Sequence, residues 1–235
     1  MLGNNFLALG ATFALALLWL RFNDYLAHRG WISSQLSRKI IHAGTGPIFV
    51  LCWLLFTEQS SSRWLAALVP FAITVQFFLI GMGIIRDQAA VDGMSRSGDP
   101  REILRGPLYY GIVFVILTIV YWYDSPIGIT ALMMMCGGDG LADVIGKRIP
   151  SKPLPWSPRK TWLGTVTMFF AGWLFSISIL FVFVIAGKLS TTFSALLLPV
   201  TFLALLATAV ESLPMKDIDN LTVPLVCVAF GHLLF

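Results

Sequence analysis

The chain has 235 residues, of which 57% are apolar and only 12% charged. Soluble domains carry about 25% charged residues, so a soluble globular protein is excluded and the length suits a single transmembrane domain over residues 1–235. The net charge of +4 would suggest nucleic acid in a soluble protein, but these cations stand between apolar runs. Their expected partner is the bilayer, with no nucleic acid involved.

Crossing a hydrocarbon core of ~30 Å takes ~20 helical residues. The first apolar run, near residues 4–20, has no basic n-region and no small-residue cleavage site before Arg21. It reads as a retained helix, not a signal peptide, and no Arg- and Ser-rich transit segment precedes it. Further runs follow at 40–56, 64–84, 107–123, 126–146, 163–187, 193–210 and 221–235. The expected fold is therefore an all-α integral membrane protein, a polytopic bundle of about eight transmembrane helices. Fourteen of the 16 Lys and Arg residues fall in the first, third, fifth and seventh connections, and only Arg63 and Lys188 fall in the even ones. Basic loops stay in the cytoplasm, which puts both termini on the non-cytoplasmic side. The connection Asp92–Pro100, with its Gly, Ser and Asp, is expected to be a mobile linker.

The fifth segment carries the informative residues. Pro126 to Gly138 is only 13 residues, ~20 Å of helix at ~1.5 Å each, so the helix must continue through Asp139 and Asp143. Gly137, Gly138 and Gly140 make the backbone deformable there, as in a broken helix lining a polar cavity. Asp139, Asp143 and Lys147 are spaced i, i+4, i+8 on one face. A charge inside a membrane costs ~2.5–3.5 kcal/mol even on lenient scales, and like charges on one helix repel. Magnesium reconciles the pair of acids, because it takes oxygen ligands from one or two carboxylates together with substrate phosphates.

Cations follow at once: Lys147, Arg148, Lys152, Arg159 and Lys160. Lys binds phosphate as a point charge and Arg binds it bidentately. Thr161 to Gly164 open the sixth apolar helix, whose first N–H groups would form an anion site, and Gly164 would let a phosphate approach the backbone. Ordinary positive-inside residues with snorkelling stems account for Lys152 and Arg148, but not for two acids on the Lys147 face.

Two more polar groups reach the same side. Arg38, Lys39 and His42 enter the second helix, where snorkelling and core packing are the plain alternatives. Glu211 ends the seventh helix, where the dipole disfavours an anion. Asp219 and Asn220 precede the eighth and could cap it; capping is the expected role for Asp219, metal ligation for Glu211 and Asn220. The sequon Asn220-Leu221-Thr222 lies on the inner side and is dismissed. Trp156 and Trp162 read as interfacial belt residues. Met133–Met135 read as packing of the fifth helix, with a lipid-tail groove as the sharper alternative. Cys52, Cys136 and Cys227 read as small core residues.

Gly138-Asp139-Gly140-Leu141-Ala142-Asp143 with Gly146-Lys147, followed by Pro155 to Thr165, resembles the membrane-embedded CTP-dependent lipid-alcohol kinases, which include the phytol and dolichol kinases. Glu211-Ser212-Leu213-Pro214, Asp219 to Leu225, and Arg38-Lys39 with His42 match too, and the phytol kinases fit best. The resemblance runs from about Arg38 to the end and places catalytic elements around 37–42, 138–165 and 211–225 on the cytoplasmic face. It implies transfer of a phosphoryl group from CTP or UTP to phytol or a related prenyl alcohol, in a pathway leading toward tocopherol. In that scheme Asp139, Asp143 and Lys160 are catalytic. Asp139 and Asp143, with Glu211 or Asn220, hold magnesium. Lys147, Arg159, Lys160, Thr161, Gly164, Lys39 and His42 bind nucleotide and phosphate. The expected location is a bacterial inner or thylakoid membrane, or a plastid membrane in a plant, and a homo-oligomer is left open. Alternative readings are a CDP-diacylglycerol synthase-like cytidylyltransferase and a transporter. The first lacks its His-Gly-Gly and Asp-Arg-type ending here, and the second lacks the inverted repeat such proteins often show.

Overall fold

The computed structural model describes residues 3–95, 97–215 and 218–235. In chain order the helices are α1 (Asn5–His28), α2 (Ser34–Cys52), α3 (Ser62–Gly81), the short α4 (Gln88–Met94), α5 (Gly106–Val120), α6 (Pro126–Met133), α7 (Gly140–Arg148), α8 (Trp162–Ile185), α9 (Phe193–Glu211) and α10 (Asp219–Leu234). A π-helical turn, Met134–Asp139, joins α6 to α7 into one composite element. Six of the described elements are long and apolar enough to cross a membrane: α1, α3, Pro100–Val120, Pro126–Arg148, α8 and α9. The remaining two of the expected eight are α2, whose first turns are polar, and α10, which is only 16 residues long. The all-α polytopic architecture is thus as expected.

Contacts between connections define the two faces of the bundle. On one face, Arg38 donates to the Ser95 carbonyl at 2.9 Å, Asn220 donates to the Gly106 carbonyl at 2.9 Å, and Lys160 pairs with Glu211 at 2.7 Å. These contacts tie odd-numbered connections to one another. On the other face, Arg63 pairs with Asp124, and Lys188 with Glu58 at 2.5 Å. These tie even connections together, and the hydrogen bond from Lys188 holds the exposed Glu58 carboxyl below the usual carboxylate range. Both chain ends join this second face: Asn5 donates to Ser62 Oγ at 3.0 Å, and His232 meets the Tyr121 hydroxyl at 2.8 Å. An odd number of crossings would have separated the ends.

Some local expectations are revised. The first helix runs on past Arg21 to His28, with Asn23 donating to the Trp19 carbonyl at 2.8 Å. The expected linker over Asp92–Pro100 is partly ordered by acids within it and just before it. Asp87 accepts from Ala90 N to start α4, and Asp99 accepts from Arg101 N to start the 3-10 turn Pro100–Leu104. Val91 and Ile103 then pack with Ile80 into a small satellite cluster. Between α7 and α8 the chain forms a two-stranded antiparallel hairpin, β1 (Pro153–Leu154) with β2 (Ser157–Thr161).

The core lies around α6 and the π turn. Met133, Met134 and Met135 have no exposed surface, so they pack the fifth segment and line no groove. Trp53 stacks on Trp122 with ring centroids 4.8 Å apart. The three cysteines are free and buried, as expected.

Candidate active site

A cavity of about 1310 Å³ lies between α1, α2, α3 and α5, with Asp139, Asp143, Asp219 and Asn220 on its wall near the odd-connection face. Its volume exceeds the roughly 300–1,000 Å³ usual for small-ligand pockets. The polar mouth also holds Arg38, Lys39 and His42, while the deeper wall is apolar, from Leu17, Ile48, Phe49 and Val69. A smaller hollow of about 170 Å³ adjoins it, lined by Arg38, Lys39, Asp143, Lys147 and Arg148.

Asp143 sits between two cations, with Lys39 Nζ at 3.0 Å and Lys147 Nζ at 2.6 Å. The Lys147 pair is the i, i+4 contact of one helix face. The Lys39 pair joins α7 to α2. Asp139, the last residue of the π turn, lies 3.6 Å from His42 Nε2. The Met135 carbonyl also accepts from that nitrogen, at 3.3 Å. The charge of Asp143 is therefore already compensated in part by Lys39 and Lys147, while Asp139 has only the imidazole of His42 beside it. π turns recur at functional sites because they re-aim side chains within a helix, and here the turn ends at Asp139.

Lys160, on β2, reaches the end of α9. It pairs with Glu211 Oε1, bonds the Glu211 main-chain carbonyl, and stands 3.7 Å from Asp219 Oδ1. This cation offsets the carboxylate at the helix C-terminus, which the dipole disfavours. Asp139 lies within electrostatic reach of Glu211, so Lys160 and Glu211 flank the mouth from the α9 side. Asp219 is the first residue of α10 and does not cap it; the cap position belongs to Ile218, which has no capping side chain. Asn220 gives its amide N–H to Gly106, which leaves its amide oxygen as a potential ligand.

The start of α8 differs from expectation. Trp162 N donates to the Lys152 carbonyl, Leu163 N to Ser151 Oγ and Gly164 N to Thr161 Oγ1. The hairpin and the Thr161 cap thus take the N–H groups expected to bind an anion. Thr161, Gly164 and the exposed Arg159 lie outside both cavities. Gly164 serves a helix crossing instead: a Cβ there would come 3.2 Å from the Ala142 carbonyl and 3.4 Å from Gly146 Cα. Gly164→Leu should force α7 and α8 apart at about 1–3 kcal/mol, the usual cost of overpacking. A lowered thermal midpoint in detergent, with Gly164→Ala much closer to the parent, is the expected measurement.

Among the described residues no group of three or more His, Cys, Asp or Glu side chains is gathered closely enough to cage a metal ion. The oxygen donors Asp139, Asp143 and Asn220 around one cavity suit a hard cation that shares its shell with phosphate oxygens and water.

Tyr110 was not foreseen. Its hydroxyl donates to the His42 carbonyl at 2.7 Å, its ring lies 4.4 Å from the imidazole, and it contacts Cys136 Sγ at 3.1 Å. Next to Tyr109 at the start of an apolar helix, it reads as an interfacial residue. Its partners lie 68 and 26 positions away. Trp156 and Trp162 sit together: Trp156 donates to Ser212 Oγ at 3.3 Å and meets Trp162 edge to face.

The chain is 42% identical over 214 residues to a probable chloroplastic phytol kinase of Triticum aestivum, an alignment covering 90% of this chain and 71% of the relative. It is 36% identical over 229 residues to phytol kinase 1, chloroplastic, of Arabidopsis thaliana, covering 97% and 74%. It is also 36% identical over 230 residues to the chloroplastic farnesol kinase of Arabidopsis thaliana, covering 97% and 75%. No protein-family model and no solved structure matches.

Proposed function

Since the chain belongs to the family of the phytol and farnesol kinases, we propose that it is a membrane lipid-alcohol kinase that transfers the γ-phosphate of CTP or UTP to phytol or a related prenyl alcohol. The observation that carries this reading is one cavity whose mouth holds Asp139, Asp143, Lys39 and His42 and whose deeper wall is apolar. An amphiphilic alcohol needs both: an apolar slot for the tail, and charged groups where its hydroxyl meets the triphosphate. The positive-inside rule puts the odd-connection face in the cytoplasm or its plastid equivalent, so water-soluble nucleotide reaches the mouth directly. The membrane is a plastid membrane, as the names of the relatives suggest, or the corresponding thylakoid or bacterial inner membrane.

In the reaction the prenyl oxygen attacks the γ-phosphorus, the bond from that phosphorus to the bridging oxygen breaks, and the nucleoside diphosphate leaves. Asp139 or Asp143 accepts the hydroxyl proton or orients the hydroxyl. Lys39, Lys147 and Lys160 hold phosphate oxygens, with Arg159 reaching over from β2, and His42 fixes Asp139 in place. Asp139, Asp143 and Asn220 would hold magnesium, with Glu211 behind them tied to Lys160. When bound, magnesium supplies neutralisation of charge developing on the phosphoryl oxygens. Positioning and electrostatics of this kind suffice for phosphoryl transfer.

The test is purified protein in detergent with phytol and labelled CTP. Label passing from the γ-position to the lipid is the expected result. Label passing from the α-position to a phosphatidate would instead identify a cytidylyltransferase, and no transfer with either would defeat the enzyme reading. Chelation of magnesium should abolish transfer, and added magnesium should restore it.

A further inference from the structure

The large cavity has a floor. α1 and α2 run antiparallel: Ser37 Oγ donates to the Asn23 carbonyl at 3.3 Å, Trp19 Nε1 to the Ile41 carbonyl at 3.5 Å, and the Thr12 hydroxyl meets the Cys52 thiol. Thr12 and Cys52 both line the cavity, yet they are only 1% and 3% exposed. Beyond them, Ala8, Trp53 and Phe56 are fully buried, and Asn5 of α1 bonds to Thr57 in the α2–α3 connection and to Ser62 at the start of α3. The cavity is therefore blind at this end. Val69 from α3 and Phe49 from α2 complete the closure.

From Lys39, which holds Asp143 at the mouth, to Cys52 at the floor α2 advances thirteen residues, ~20 Å at ~1.5 Å per residue. That span fits the extended sixteen-carbon main chain of a diterpenoid alcohol, exceeds the twelve-carbon main chain of farnesol by about one helical turn, and is far short of a polyprenol.

We propose that Thr12 and Cys52, at the blind end between α1 and α2, act as a ruler that sets the length of the alcohol. The inference rests on the prenyl-alcohol kinase reading and deepens it. With the hydroxyl held at Asp139 and Asp143, a phytyl tail ends against Thr12 and Cys52. Farnesol and geraniol leave the floor unfilled, and a polyprenol cannot place its hydroxyl at the carboxylates.

Thr12→Phe and Cys52→Phe each raise the floor from a different helix. A mismatch of one methylene in an apolar pocket is worth roughly 10–200-fold. The expected result is a fall of at least about tenfold in kcat/KM for phytol relative to geraniol in each variant, carried mainly by KM. Unchanged ratios in both variants would overturn the proposal. Because either variant could misfold, the parent protein supplies a second readout through its own thiol. Cys52 should react with the small reagent methyl methanethiosulfonate, assigned by mass spectrometry, and saturating phytol should block that reaction where geraniol does not. Equal modification with and without phytol would also overturn the ruler. Failure of phosphoryl transfer to every alcohol would instead strike the kinase reading, and the Cys52 protection would still decide whether a tail reaches the floor.

Discussion

Lys160→Met should destabilise the protein by about 3–5 kcal/mol, the usual result of removing one partner from a buried ion pair, and should abolish phosphoryl transfer. The side chains of Lys160 and Glu211 are only 16% and 9% exposed. Without the ammonium, Glu211 is left as a poorly solvated anion at a helix C-terminus and Asp219 loses the cation 3.7 Å from its Oδ1. Two effects are mixed in this variant, and the double variant Lys160→Met/Glu211→Gln separates them. It removes both charges together, so the unfolding midpoint in detergent should return most of the way to the parent value. Activity should not return if Lys160 also holds a phosphate oxygen. Recovery of both would make Lys160 a structural tie alone.

Asp143→Asn is the complementary case. The amide keeps the shape but removes the charge that Lys39 and Lys147 share at 3.0 and 2.6 Å. Losing one preorganised electrostatic group from a site of this kind costs roughly 10²–10³-fold in kcat, and the magnesium concentration for half-maximal activity should rise. The fold should tolerate the change, because Lys147 is largely exposed and water can solvate it. If Asp143 only spaces the two lysines, Lys39→Met in the same chain should restore activity. If it faces metal and phosphate, the double variant should be no better than the single one. A magnesium requirement that stays unchanged in Asp143→Asn would remove it from the ligand set.

The all-α membrane class, the eight segments and the passage of the fifth helix through Asp139 and Asp143 were legible because each is a one-dimensional property. Apolar run length measures bilayer thickness, the cations collect on alternate loops, and a run of 13 residues cannot span alone. The i, i+4 contact of Asp143 with Lys147 was legible for the same reason. Gly164 was misread because a glycine before an apolar helix looks the same whether a phosphate or another helix approaches it; only Gly146, 18 positions earlier in the chain, decides. The α8 N-terminus was misread similarly, since its N–H groups are taken by Ser151 and Lys152 from a hairpin with no strand-like run.

What the order of residues determined by itself was where the chain enters and leaves the bilayer and which charges lie at which depth, because burial of apolar area and the cost of a charge in lipid act on each segment separately. What only the tertiary structure decided was which polar groups meet: Lys39 with Asp143, His42 with Asp139, Lys160 with Glu211, and the Tyr110 ring on His42. Those pairings, and the blind cavity between α1 and α2, depend on how the helices pack side by side, which hydropathy along the chain does not encode.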